Sequence, residues 1–296
     1  MIKVAKMTPQ RVLNRIGKLD YFHDDRHAVR RNEIRWLVEE FTDIPIRNLP
    51  SALEGFTIVQ LTDMHLKPFT QLEHIERAVS RVNRLRPDLL VLTGDYVWHD
   101  EEDILDLVPA LARLNARYGI YAVLGNHDIK TDEVLITRTF ERHGIRVLRN
   151  QGFDLQVGRD CLHVAGIDDG WLGKPDITAT LSQHRGDTPV VLLAHEPDMI
   201  DWYAHDERIS LQLSGHTHGG QVQVSPGKPF VRPYLGKKYV QGLHRVNQSW
   251  VYTSRGLGTT GVPIRRNCSP EITHLTLTRA EDSDLILAQR PALSLV

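Results

Sequence analysis

Eight polar side chains between positions 63 and 218 offer the most chemistry in this 296-residue sequence, and each follows a short apolar run. They are Asp63, His65, Asp95, Asn126, His127, His195, His216 and His218. Oxygen donors mixed with imidazoles, with no thiolate among them, favour borderline divalent ions such as Mn²⁺, Fe²⁺, Zn²⁺, Ni²⁺ or Co²⁺. The set has too many donors for one ion, whereas two ions about 3.5–4 Å apart that share a carboxylate would use them. Such pairs clamp phosphoryl groups and generate hydroxide near neutral pH.

Short apolar runs position these side chains. The runs, rich in Val, Ile and Leu, are typical of buried strands, and they cover residues 56–62, 88–93, 119–124, 161–165, 189–194 and 209–214. Helical patterns lie between them, at about residues 71–85, 101–115, 132–143, 176–184 and 196–204. Strands that alternate with helices predict an α/β fold with much parallel pairing.

The carboxyl ends of parallel strands meet at one edge of a sheet, where ligands bind in such folds. Residues 63–218 are therefore expected to build one site, without a domain boundary between them. Gly94, Gly125 and Gly215 directly precede candidate ligands. Glycine permits a sharp turn there and leaves room for close approach of an ion or a phosphate.

The composition changes after Gly220. Residues 226–236 are rich in proline and glycine and predict a flap beside the site. Strand-like segments follow at residues 238–245, 250–254 and 271–278, and we expect them to extend a second, antiparallel sheet. The chain thus divides into an amino-terminal segment (1–36), a main domain (37–280) and a carboxyl-terminal tail (281–296).

Composition excludes several classes of protein. The 36 Lys and Arg residues against 37 Asp and Glu residues leave a net charge of −1, and no basic stripe with interleaved aromatics points to nucleic acid. No apolar run approaches the ~20 residues of a membrane span. Cys161 and Cys268 are too few for a disulfide framework or a thiolate cluster. With no apolar signal core at the start, we expect a cytoplasmic protein.

Residues 1–19 carry five basic side chains and no acid, with apolar residues at helical spacing. One interpretation is an amphipathic helix that lies on the inner face of the membrane. The other is an ordinary surface helix or a frayed terminus, which the shortness of the segment and its lack of Trp and Phe favour.

Five sequence blocks, taken in order, are similar to those of the calcineurin-like metallophosphoesterases. The blocks are Asp63-x-His65, Gly94-Asp95, Gly125-Asn126-His127-Asp128, His195 and Gly215-His216-Thr217-His218. A single block would mean little, but the ordered set is specific. The resemblance implies a four-layer αββα sandwich of two mixed sheets, with the metal site at the carboxyl ends of the strands.

The resemblance also implies a role for each residue. One ion would be held by Asp63, His65 and His218, and the other by Asn126, His195 and His216. Asp95 would bridge the ions, and a hydroxide between them would attack phosphorus in line; Mn²⁺ is the preferred ion. His127 would lie too far away to ligate, and would bind the phosphate or protonate the leaving oxygen, a contribution of about 10²–10⁴-fold.

Further runs resemble one bacterial branch of the family. They are His195-Glu196-Pro197-Asp198, Gly219-Gly220-Gln221, the glycine-rich stretch 256–265 and Pro270-Glu271-Ile272. That branch contains phosphodiesterases. It also contains enzymes of lipid A synthesis that cleave the pyrophosphate of UDP-2,3-diacylglucosamine. The implied substrate is a phosphodiester or pyrophosphate, lipid-linked in the second case.

One departure is informative. Serine/threonine phosphatases of this superfamily carry Gly-Asp-x-Val-Asp-Arg-Gly, whereas Trp98 and His99 stand here at the Asp and Arg positions. The carboxylate that partners the catalytic histidine is absent, which disfavours a protein phosphatase. A small-molecule phosphomonoesterase would use the same site and stays open. A non-catalytic scaffold would have lost ligands or His127, and this chain has lost neither.

Four more residues are candidates for substrate contact. His99 follows a ligand loop, Asp168 and Asp169 end a predicted strand, and Arg265 follows a glycine-rich loop. A solvated surface position is the alternative for the histidine and the arginine. For the two aspartates the alternatives are support of the ligands or an ordinary turn.

Overall fold

The computed structural model describes residues 36–280. The predicted amphipathic segment at 1–19 and the predicted tail at 281–296 lie outside the described residues. No helix among residues 36–280 has both the length and the apolar character needed to span a membrane.

The first of two six-stranded sheets is mixed. Its strands are β1 (Val38–Ile46), β2 (Thr57–Leu61), β3 (Leu89–Thr93), β4 (Ile120–Val123), β5 (Arg146–Val147) and β14 (Glu271–Arg279), in the order β1-β14-β2-β3-β4-β5. β2 to β5 are parallel, while β14 runs antiparallel to β2 and parallel to β1. Every residue of β3 is buried, as expected of a parallel strand with both faces covered.

The second sheet is mixed as well. It holds β6 (Gln151–Val157), β7 (Asp160–Gly166), β8 (Val190–Leu193), β9 (Ile209–Ser214), β12 (Gly242–Val246) and β13 (Ser249–Thr253), in the order β12-β13-β9-β8-β7-β6. The four central strands, β13, β9, β8 and β7, are parallel to one another. A short hairpin of β10 (Gln223–Ser225) and β11 (Lys228–Pro229) stands apart from both sheets.

Helices cover the outer faces of the two sheets. They are α1 (Leu72–Leu85), α2 (Asp103–Leu111), α3 (Asn126–Lys130), α4 (Glu133–Arg142), α5 (Ile177–Thr180) and α6 (Ile200–Tyr203). α1 buries Ile75, Ala78, Val79 and Val82, which is the i, i+3, i+4, i+7 stripe of an amphipathic helix. One apolar core lies between α1, α2, α4 and the first sheet, another between the sheets, and a third between the second sheet and α5 and α6.

This arrangement confirms the predicted four-layer sandwich. All six predicted apolar runs contain strands. The assignment of residues 271–278 to the second sheet is wrong, because β14 pairs with β1 and β2 in the first sheet. The expectation of an antiparallel second sheet is wrong too, because β13 joins it by parallel pairing with β9. The segment predicted at 196–204 is a 3-10 turn followed by the single turn α6, and the helix predicted at 176–184 is reduced to α5.

Candidate metal centre

The candidate ligands come from both sheets and meet where the two carboxyl edges adjoin. Asp63 and His65 follow β2, Asp95 follows β3, His195 follows β8, and His216 follows β9. A buried polar link holds the edges together: the Gln60 side-chain amide donates to the Ser214 carbonyl of the other sheet at 2.9 Å and to the Thr93 hydroxyl at 2.8 Å. The site is therefore a seam between two sheets, whereas the strand pattern alone predicted one edge of a single sheet.

Asp63, His65 and His218 form the first group of converging donors, which we call the first triad. One donor atom from each lies within 4.8 Å of the others, and all three side chains are buried. Nε2 of His65 is 3.0 Å from Nε2 of His218, which in turn is 3.4 Å from Oδ1 of Asp63. Imidazole nitrogens that face each other this closely in a buried site suit a shared cation.

His195 and His216 belong to the second group, in which main-chain carbonyls orient the rings. Nδ1 of His195 donates to the Thr93 carbonyl at 2.7 Å, and Nε2 of His216 donates to the Tyr234 carbonyl at 2.7 Å. The opposite nitrogens, Nε2 of His195 and Nδ1 of His216, then face each other at 3.2 Å. A carbonyl partner that fixes the tautomer is typical of metal-binding histidine.

Asp95 lies between the two groups. Its Oδ2 is 3.4 Å from Nε2 of His65 and 3.3 Å from Nε2 of His195, while its Oδ1 accepts the main-chain N–H of His127 at 2.9 Å. One carboxylate oxygen thus touches a donor from each group. This is the geometry expected of a bridging ligand.

The resemblance assigns Asn126 to the second group, and we call Asn126, His195 and His216 the second triad. Asn126 is the first residue of α3, and its Oδ1 is buried without a hydrogen-bond partner among the described residues. An amide oxygen left in that state costs about 1–3 kcal/mol, and a cation at the site would satisfy it. The residues present therefore fit a pair of divalent ions.

Backbone strain is concentrated at the ligands. Five of the seven candidate ligands have positive φ: Asp63 (50°), His65 (43°), Asp95 (58°), His216 (71°) and His218 (52°). Each such residue costs of order 1–3 kcal/mol and persists only where the surrounding structure enforces it. Lys67, Arg86, Gln221 and Leu235 have positive φ as well, so the strain accompanies the converging donors without being confined to them.

The predicted need for glycine is confirmed at two close approaches. A Cβ at Gly125 would lie 2.4 Å from Oδ1 of Asp95, and one at Gly215 would lie 2.2 Å from Oδ2 of Asp63. Any side chain at either position would therefore displace a candidate ligand.

His127 stands at the open side of the site. Its ring stacks on the Trp98 indole at 4.5 Å between centroids, and its Nδ1 donates to the Trp98 carbonyl at 3.0 Å. A ring nitrogen of His127 lies within 4.8 Å of donor atoms of His65 and Asp95. These distances do not exclude His127 as a metal ligand, so they do not support the expectation that it lies too far away. The carbonyl and the indole of Trp98 orient the His127 ring, whereas a carboxylate partners the catalytic histidine in the protein phosphatases.

The pKa shifts of the buried acids and histidines indicate a cluster that would bind a cation. Burial raises the pKa of Asp63 to about 7 and lowers the pKa of His65 to about 3 and of His216 to about 4. Burial opposes ionisation of Asp95 and His195 too, but their mutual attraction outweighs it, so the pKa of Asp95 falls well below its usual value and that of His195 rises well above. The imidazoles of His65 and His216 are therefore neutral, with lone pairs free for a cation.

Asp128 supports the site without joining it. Its buried carboxylate accepts the N–H groups of Asp95, Tyr96 and Gly125 at 2.8 to 2.9 Å. Burial raises the pKa of Asp128 to about 7. It ties the loop after β3 to the loop after β4, and so helps to position Asp95.

The expectation that Arg265 contacts substrate is not met. Its side chain is buried, and its guanidinium donates to the carbonyl groups of Arg255, Gly256, Gly258, His218 and Cys268. With its donors bound to main chain, it offers none to a phosphate. Nη2 lies 3.3 Å from Nδ1 of His218, so Arg265 braces the loop of a candidate ligand. The sequence could not distinguish these roles, because both place an arginine after a glycine-rich loop.

Of the other three candidate substrate contacts, two are buried and one is exposed. Asp168 is buried, bonded to Arg149 Nε at 2.9 Å and to the Lys174 N–H at 2.8 Å. Asp169 is buried and accepts N–H groups of the loop that follows it. Both aspartates thus organise a loop beside the site. His99 is exposed and lies against Trp98, with ring centroids 4.6 Å apart.

Residues 56–220 match the family model described as calcineurin-like phosphoesterase. The chain is 37% identical over 236 residues to the Bacillus subtilis protein named uncharacterized metallophosphoesterase YkuE, covering 77% of this chain and 81% of that protein. It is 35% identical over 229 residues to Phosphodiesterase YaeI of Escherichia coli, covering 75% and 82%. A Danio rerio protein, named transmembrane protein with metallophosphoesterase domain, is 34% identical over 254 residues, covering 80% of this chain and 56% of its own length.

These matches span the strand ends, the strained ligands and the seam between the sheets. They agree with a buried donor set built for divalent cations. The chain belongs to the calcineurin-like phosphoesterase family and is a metal-dependent phosphoester hydrolase.

Proposed function

We propose that this protein is a dinuclear phosphodiesterase or pyrophosphohydrolase that acts by in-line displacement at phosphorus. The observation that carries the proposal is the position of Oδ2 of Asp95, 3.4 Å from His65 in the first triad and 3.3 Å from His195 in the second. A carboxylate so placed suits two ions and not one. Mn²⁺ is the ion we favour, since mixed oxygen and imidazole donors accept it readily.

When bound, the two ions would lower the pKa of water and neutralise charge on a phosphoryl group. The chain supplies the rest. The carbonyls of Thr93 and Tyr234 hold the imidazoles of the second triad in the tautomer that directs a lone pair inward. Asp128 and Arg265 hold the ligand loops, so little reorganisation is needed when a substrate binds.

His127 is the proposed catalytic residue beyond the ligands. Its Nδ1 is committed to the Trp98 carbonyl, which leaves Nε2 to donate to a phosphoryl oxygen or to the leaving oxygen. The stacked indole of Trp98 limits rotation of the ring. Proton donation of this kind contributes about 10²–10⁴-fold to the rate.

Preference for diesters rests on the similarity to Phosphodiesterase YaeI of Escherichia coli. The runs that resemble those of UDP-2,3-diacylglucosamine hydrolases extend the proposal to a nucleotide-linked lipid. In that case the basic segment 1–19 would bring the enzyme to the inner face of the membrane. Removal of residues 1–19 should then abolish co-sedimentation with anionic liposomes, and unchanged co-sedimentation would refute the membrane part alone.

The first test is the hydrolysis of bis(p-nitrophenyl) phosphate against p-nitrophenyl phosphate by the Mn²⁺-loaded protein. We expect a clear preference for the diester. A preference for the monoester would favour the alternative, a small-molecule phosphomonoesterase that uses the same ligands. Inactivity on both, with two ions bound, would favour either an enzyme with a more demanding substrate or the scaffold alternative.

A further inference from the structure

Two exposed aromatic side chains adjoin the second triad. The rings of Trp171 and Tyr234 meet edge to face, with centroids 5.7 Å apart and planes at 64°. Trp171 is 46% exposed and Tyr234 is 54% exposed. Contiguous exposed apolar surface can mark a ligand-binding site. We call this pair the aromatic corner.

The aromatic corner is attached to a candidate ligand from both sides. The Trp171 ring centroid is 6.1 Å from that of His216. The Tyr234 carbonyl accepts the Nε2–H of the same histidine at 2.7 Å. A group seated against the corner is therefore within reach of a phosphoryl group at the second triad.

The loop that carries Trp171 is held in place before any ligand arrives. The carboxylate of Asp169, fully buried, accepts the N–H groups of Trp171 at 3.0 Å and Leu172 at 2.5 Å. The Gly170 N–H donates to the buried carboxyl group of Glu196 at 2.9 Å. An exposed indole on a loop with this many main-chain bonds is preorganised, which reduces the entropy lost on binding.

We propose that the aromatic corner binds the planar base of a nucleotide whose phosphoryl group lies at the metal centre. This inference names the substrate class of the proposed phosphoesterase and rests on that function. Bases stack on aromatic side chains even when the pair is partly wet, with a gain of about 1–3 kcal/mol per base. The corner consists of two exposed aromatic rings at 64° to each other, and such a surface fits a flat ring with polar edges left in water.

An acyl chain fits this region less well. It needs an enclosed apolar channel, because methylene groups gain only by leaving water. The neighbouring cleft, about 380 Å³, is lined largely by polar side chains: Thr131, Asp132, Glu133, Arg149 and Lys174. This region therefore offers a stacking surface for the base of a substrate and a largely polar cleft that does not suit a lipid tail.

Two ligands that differ only by the base provide the test. Adenosine 5′-monophosphate and ribose 5-phosphate are titrated into the Mn²⁺-loaded protein, and phosphate release is followed in parallel. We expect adenosine 5′-monophosphate to bind about ten-fold more tightly. Trp171→Ala should remove that difference and leave ribose 5-phosphate unchanged. Should either compound be hydrolysed, the same comparison is made on kcat/KM.

Matched variants separate stacking from folding. Trp171→Phe keeps a ring and should retain most of the preference. Trp202 is 58% exposed on α6, and Trp202→Ala should change nothing. Equal binding of the two ligands by the wild-type protein would overturn the proposal, as would loss of affinity for both in Trp171→Ala. Octyl phosphate tests the apolar alternative. If Trp171→Ala weakens its binding as much as that of adenosine 5′-monophosphate, the corner binds any apolar group and the base assignment is refuted.

The proposed function can fail separately. Failure to hydrolyse bis(p-nitrophenyl) phosphate while the base preference persists would refute the phosphodiesterase and leave the base-binding corner standing. Hydrolysis of the diester without any base preference would do the reverse.

Discussion

The two edges of the sandwich differ in a way that cavity size would not reveal. The edge opposite the metal centre has a cleft of about 920 Å³, lined among others by Arg47, Arg159, Cys161 and His184. Yet its polar groups turn to their neighbours: Arg159 donates to the Ser51 hydroxyl, and Nε2 of His184 to the Thr188 carbonyl. At the metal edge the polar groups converge on one another. Convergence of donors, and not volume, marks the functional edge.

Backbone conformation teaches the same lesson. Left-handed positions near the large cleft fall on Asn48, Gly158, Gly186 and Asn247, residue types that adopt positive φ at little cost. At the metal edge such positions include the histidines His65, His216 and His218, with Lys67 and Gln221 beside them, and these residue types adopt positive φ less readily than glycine or asparagine. A fold that accepts the cheaper residues at one edge and strained ones at the other is holding the strained residues for their side chains.

The largest effect is expected from Asp95→Asn. Both triads lose the charge that they share, so kcat/KM for bis(p-nitrophenyl) phosphate should fall by about 10³-fold or more, and bound metal measured by elemental analysis should fall with it. Asp160→Asn is the control at the opposite edge, where the carboxylate accepts the Ala52 N–H; activity there should change less than about two-fold. A variant at position 95 that keeps two ions and near-normal turnover would contradict the bridging role.

The next effect belongs to His127→Ala. Activity should fall by about 10²–10⁴-fold, while both ions stay bound and the melting temperature stays within a few degrees. His184→Ala at the opposite edge should leave turnover unchanged. Loss of metal from a folded His127→Ala protein would place this histidine among the ligands, as its short distances to His65 and Asp95 allow.

The ligand-bearing strands could be predicted because their information is local: an apolar run ends in a residue that binds metals. Sheet membership is not local. Residues 271–279 form a clear strand, but their partners Val38–Ile46 and Thr57–Leu61 lie far away in sequence. β1 was not predicted, because its edge position leaves it polar, with mostly half-exposed side chains. β6 could have been found from the alternation of Phe153, Leu155 and Val157.

The site shows the same division. The ligand types and their order could be read from the sequence. The groups that orient them could not, because the Thr93 and Tyr234 carbonyls belong to main chain that any residue supplies. Arg265 was misjudged for a related reason: sequence places it beside the site, but only the fold decides whether its guanidinium faces solvent or carbonyl groups.

A smaller effect, on stability, is expected from a matched pair of glycines. Gly94 (φ 97°) and Gly186 (φ 63°) both have positive φ, so alanine at either costs about 1–2 kcal/mol in backbone strain. A Cβ at Gly94 also meets the Gly125 nitrogen at 2.6 Å and Nδ1 of His195 at 2.7 Å, whereas one at Gly186 meets nothing within 4 Å. Gly94→Ala should therefore lose about 1–3 kcal/mol more in urea unfolding. Equal losses would mean that the metal edge is not tightly packed.

The smallest effect is expected at the cleft opposite the metal centre. Arg47 and Arg159 are exposed, and each makes one side-chain hydrogen bond of 3.1–3.2 Å, to Gln248 and Ser51. Surface bonds of this kind contribute little, so the double variant Arg47→Ala/Arg159→Ala should unfold within about 0.5 kcal/mol of wild type and keep its kcat/KM. The sharper measurement is turnover of bis(p-nitrophenyl) phosphate against rising inorganic phosphate. Phosphate should inhibit both proteins alike, because the proposed function puts its binding site at the metal edge. A double variant that alone loses phosphate inhibition would give the large cleft a function, and convergence of donors would then fail as the mark of a working edge.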